Sequence, residues 1–183
     1  MLTVKERGQF VATMRYVQVW LMETLAAWVP TTPEMEVKLL FGEHIWDAAQ
    51  HADALGKRTF ELRFPLQHSL QPVGAYAGFL VELAGTGPTP QRLAAVYDVL
   101  LPASAARYRR YLDQTDALSD APTLRILERD LADTARMIES ARALREELPA
   151  LQLLGRDWAD ALLAREAAIE PIVASGVRVA AEA

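Results

Sequence analysis

The chain has 183 residues, is 51% hydrophobic and carries a formal net charge of -5. That length supports one domain, residues 1–183, with a substantial core. The acidic balance argues against general nucleic-acid binding, which needs Lys and Arg set against phosphates. The absence of cysteine excludes disulfides, thiolate metal ligands and a cysteine nucleophile.

The N-terminus does not read as a signal peptide. Lys5, Glu6 and Arg7 come first, and the apolar stretch after them is broken by Arg15, Gln18 and Glu23. No run approaches the roughly 20 apolar residues that span a bilayer. The expectation is a cytoplasmic protein with neither a membrane nor a nucleic-acid partner.

Thr3 and Glu6 form a T-x-x-E capping box opening a first helix over 4–28, which Pro30 stops. Thr32 and Pro33 predict the start of a second helix over 33–63, ended by Pro65. Leu66–Gln71 reads as loop, and Pro72–Leu83 as a short helix weakened by Gly74 and Gly78. Gly85-Thr86-Gly87-Pro88 is a turn. A third long helix is predicted over 90–112, kinked at Pro102. Asp120 and Pro122 open a fourth over 122–148, and Pro149 a fifth over 150–169, followed by a tail. No strand pattern of any length is present. The fold class is all-α: an antiparallel four-helix bundle of about 4–148, with a short crossover helix between helices two and three and an extra C-terminal helix.

Stepping about 100° per residue shows where the core faces turn polar. On helix two, His44 and His51 fall in the middle of the face carrying Val37, Leu40, Phe41, Ala48 and Leu55, with Asp47 at its edge and Glu43 further round. On helix three, Ser104 and Arg107 lie among Leu93, Val96, Tyr97, Leu100, Tyr108 and Tyr111. On helix four, Asp130 sits between Met137 and Thr134, with Glu128 at the border; on helix one, Glu23 lies on the flank. A buried charge without a partner costs several kcal/mol, so such groups must pair or shift their pKa. The candidate site is therefore His44, His51, Arg107 and Asp130, with Asp47, Glu23, Glu128 and Ser104 within reach of it. The competing structural reading has the histidines bonding a neighbour and an Arg107–Asp130 pair fixing helix register.

Other features carry less. Arg109 and Arg110 turn outward while Tyr108 and Tyr111 turn in, a solvated face and not an RNA site. His68 falls in a surface loop, and Trp20, Trp28, Trp46 and Trp158 read as packing residues.

The helix order and the inward His44-x-x-Asp47-x-x-x-His51 stripe resemble the ferritin-like superfamily over Val4 to Leu148. Members typically carry one Glu on each of two helices and Glu-x-x-His on the other two. Here no Glu-x-x-His occurs: helix two offers His44-Ile-Trp-Asp47, and Leu131 stands three residues after Glu128. The best matches to the lone carboxylates are Glu23 and Asp98. The resemblance implies a metal site, with His44, His51, Asp47, Glu23 and Glu128 as candidate ligands to iron or another divalent cation, and oxidative chemistry where the metal is iron. Two other functions compete with it. One is a metal-free pocket in which Arg107 holds a small anionic ligand and a histidine serves as acid or base. The other is a non-enzymatic interaction protein with a structural polar core. A homo-oligomer is compatible with all three.

Overall fold

A computed structural model describes residues 2–153 and 155–174. Among these the chain is all-helical, with no strand. The elements are α1 (Val4–Trp28), α2 (Met35–Glu61), α3 (Gly74–Ala84), α4 (Thr89–Leu93), a π-helical stretch (Ala94–Leu100), α5 (Leu101–Gln114), α6 (Ala121–Glu147) and α7 (Asp157–Ala167). No helix of the described residues is long and apolar enough to cross a membrane.

Helix α1 begins where its capping box says it should. The Thr3 hydroxyl accepts from the Glu6 amide at 3.2 Å, and the Glu6 carboxylate accepts from the Thr3 amide at 2.7 Å. The start of α2 departs from the expectation. Its N-cap is Glu34, without a side-chain cap, whereas Thr32 Oγ donates back to the Trp28 carbonyl at 2.9 Å and so finishes the preceding helix. Threonine and proline signals for ending one helix and opening the next lie so close together here that local sequence does not separate them. The expected fifth helix is also shorter: Pro149–Leu151 is an isolated 3-10 turn and α7 starts only at Asp157.

The main packing is α1 along α2, with α6 closing on α2 and α5. Val11, Met14, Val17, Leu21 and Leu25 of α1 meet a core to which α2 contributes Val37, Phe41, Ala48 and Leu55, all of them fully or almost fully buried. At about 1.5–3 kcal/mol for each fully buried large aliphatic or aromatic side chain, this seam is the main favourable term holding the bundle together. Gly8 lets the chain come close: a Cβ there would lie 2.2 Å from the Phe64 ring. Trp46, expected inside, is 66% exposed on the outer face of α2.

At Pro102 the structure shows a widened stretch of helix where a kink was expected. Pro102 has no N–H, so the Asp98 carbonyl loses the donor an α-helix would supply. The helix widens just before it, over Ala94–Leu100, and the Leu101 amide reaches back five residues to Val96. Such π turns are uncommon and recur at functional sites. Tyr97 projects from this one.

Candidate functional site

The structure splits the expected cluster into three neighbouring groups. The first surrounds His44, which has no solvent exposure. Its Nδ1 lies 2.7 Å from the Tyr97 hydroxyl, and its Nε2 is buried with no hydrogen-bond partner. Burial pushes the imidazole down to about 4, against the pull of Asp47 and with a smaller push from Arg136. At neutral pH His44 is therefore uncharged and keeps a lone pair on one ring nitrogen. Burial likewise raises the Tyr97 phenol, which stays protonated.

Beside His44 stand two carboxylates of the same helix. One donor atom from each of Glu43, His44 and Asp47 lies within 4.8 Å of the others. Spacing explains this, since i and i+4 share a helix face and His44 adjoins Glu43. Arg136 of α6 spans the two acids: Nη1 is 3.2 Å from Glu43 Oε1 and Nη2 is 2.9 Å from Asp47 Oδ2. Its side chain is 43% exposed, so it can leave for solvent.

The second group is one step along the bundle. His51 Nε2 is 3.1 Å from Asp133 Oδ2 and 3.5 Å from Asp130 Oδ1. Asp130 is wholly buried, and neither of its oxygens has a hydrogen-bond partner. Burial pushes its carboxyl up to about 6, although His51 and Arg129 favour the charge. Behind it the Tyr108 phenol is raised by burial and by Asp130, and accepts from Gln18 Nε2 at 3.0 Å. Asp133 connects the first two groups, because its Oδ1 receives Arg136 Nη2 at 3.2 Å.

Arg107 belongs to a third group, which corrects the expectation that it shares the histidines' space. It bonds Glu166 of α7, lies 3.1 Å from Glu170, and stacks 5.0 Å above the Tyr76 ring. The Arg107–Asp130 register pair does not form. Arg107 is buried, as its helical phase demands, but α3 and α7 cover that part of α5 in place of α2. Ser104 is buried on the same helix. Glu23 and Glu128 are exposed on α1 and α6, away from the Glu43–His44–Asp47 set. Asp98 forms a two-point ion pair with Arg145 at 2.7 and 2.9 Å.

Four contributors went unassigned from sequence: Glu43, Tyr97, Asp133 and Arg136. Glu43 was detectable, being four residues before Asp47 and adjacent to His44. Asp133 and Arg136 follow Asp130 at the i+3 spacing of one helix edge. Tyr97 read as core because nothing in the sequence tells a bonded phenol from a packed one.

Comparison of the chain with protein-family models, with curated proteins and with solved structures finds no match.

Proposed function

We propose that this protein is a ferritin-like helical bundle that binds one divalent transition metal through Glu43, His44 and Asp47. What supports the architecture is the order of long helices, with α1 against α2, α6 against α2 and α5, and a crossing segment containing α3 between the halves. What carries the site is a neutral, fully buried imidazole with an orphaned nitrogen, whose donor atom stands within 4.8 Å of those of two carboxylates. We take Nε2 as the ligand atom because Nδ1 is held by Tyr97: an unpaired buried ring nitrogen is expensive, and a cation there would satisfy it together with both acids.

The residues fit a single ion and not a carboxylate-bridged pair. Three donors come from one helix, and Glu23 and Glu128 stand apart. One imidazole and two carboxylates suit Fe(II), Mn(II) or Zn(II), with open positions left over. Bound iron would supply dioxygen chemistry there, which makes a metal-dependent oxidoreductase the reaction class of this reading. The chain's own parts have definite tasks. Tyr97 fixes the imidazole through Nδ1, as the outer partner of a metal-bound histidine does. Arg136 neutralises both acids when no cation is present and must move away when one binds.

The test is calorimetric titration of Mn(II) and Zn(II) into chelator-treated protein. One saturable equivalent is expected, lost in both His44→Leu and Asp47→Asn. Equal uptake by parent and variants contradicts the assignment.

A further inference from the structure

A cavity of about 610 Å³ lies between the start of α1, the outer side of α5 and the segment Glu170–Ala174. It shares no residue with the Glu43–His44–Asp47 set, so a ligand held there is independent of any metal. Its body is apolar. Phe10 and Tyr111 are stacked at 4.3 Å and form one wall, with Leu2 and Ile172 among the other lining groups.

Its polar end holds two guanidinium groups and is built into the fold. Arg107 and Arg110, on successive turns of α5, line the cavity together with Lys5. The Arg107 side chain is 6% exposed, and its Nε is buried without a partner. A third guanidinium nitrogen therefore still lacks an acceptor after Glu166 and Glu170 have been satisfied. Of the two acids on the lining, Glu6 is committed to the Thr3 capping box. The other, Glu170, places one oxygen 3.1 Å from Arg107 Nη2 and the other 3.2 Å from Arg110 Nη1. A carboxylate bridging two guanidinium groups is how such a site would hold a carboxylate ligand. The Glu170 side chain is 35% exposed, so it can be displaced.

We infer that this cavity binds a small amphipathic carboxylate. Its anionic head takes the place of the Glu170 carboxylate between Arg107 and Arg110, and its apolar body lies against Phe10 and Tyr111. Shape supports this as well as charge: the volume falls within the roughly 300–1,000 Å³ range of small-molecule sites, which pair apolar walls with a few fixed polar groups. A doubly charged phosphate would leave the apolar walls unused, and a neutral lipid would have no charge to offer the guanidinium groups of Arg107 and Arg110 in place of Glu170.

Octanoate is the probe, with octanol as its neutral counterpart, each titrated calorimetrically into full-length protein. Saturable one-to-one binding of octanoate is expected, at least about tenfold tighter than octanol. Glu170→Gln, which removes the internal competitor, should tighten octanoate binding, and Arg110→Ala should weaken it about tenfold. Arg110 is 58% exposed on its side chain, so that variant should keep the parent's circular dichroism and melting temperature. His44→Leu should bind octanoate like the parent. Equal affinity for octanoate and octanol overturns the inference, as does octanoate binding unchanged in Arg110→Ala. No saturable binding of octanoate overturns it too.

Discussion

Replacing Asp130 with Asn should stabilise the protein at neutral pH and leave it nearly unchanged in acid. Asp130 is fully buried, and neither carboxylate oxygen has a hydrogen-bond partner, while His51 Nε2 stands 3.5 Å away and is closer to Asp133. Burial is the largest influence and moves the carboxyl from 3.8 up to about 6. Between those two values the folded chain holds a proton that the unfolded chain has released, so stability falls as pH rises through this window. Below 3.8 both states are protonated and there is no penalty; above about 6 the penalty is complete and constant. Two units at 1.36 kcal/mol each give a penalty of about 3 kcal/mol. Asn keeps the shape and cannot ionise. The assay is urea denaturation of chelator-treated parent and Asp130→Asn at pH 4 and pH 7.5. The variant's advantage should grow by about 2–3 kcal/mol between the two. A difference that does not change with pH, or an Asn variant less stable at pH 7.5 than at pH 4 relative to the parent, would refute the reasoning. It would show that His51 holds Asp130 ionised.

Asp120 behaves in the opposite way, because its carboxylate is wholly buried yet bonded by Arg58, Tyr111, Thr115 and Thr123 at 2.6–2.9 Å. Asp120→Asn leaves Arg58 under-compensated and should cost about 3 kcal/mol by chemical denaturation at pH 7. Tyr97→Phe removes the partner of His44 Nδ1; it should lose about 1–2 kcal/mol of stability and weaken metal binding about 10–100-fold in calorimetry. Arg136→Gln removes the guanidinium from between Glu43 and Asp47, and should tighten Mn(II) binding while raising its dependence on ionic strength, because the two carboxylates are no longer neutralised from within.

The long helices were legible because capping and periodicity act locally. The Thr3 box, the Pro122 start and the inward phase of His44, His51 and Asp130 are all properties of a single helix. What one helix cannot specify is its neighbour. Arg107 is buried as its position demands, yet whether it meets α2 or α7 depends on how α5 rotates in the bundle, and its acids are Glu166, inside the shortened α7, and Glu170, just after it. The π-helical stretch was half legible: Pro102 announces a missing hydrogen bond but not whether the helix bends or widens. The proposed metal set was visible at His44 and Asp47, while Glu43, though adjacent to His44 and four residues before Asp47, went unassigned because an exposed glutamate on a helix is ordinarily a solvated side chain.

The central claim is that Glu43, His44 and Asp47 form a cation site. Elemental analysis of protein purified without chelators, run beside His44→Leu prepared identically, tests it most directly. About one transition-metal ion per chain in the parent and none in the variant is the predicted result. A parent free of metal that also takes up none when Mn(II), Fe(II) and Zn(II) are supplied would contradict it.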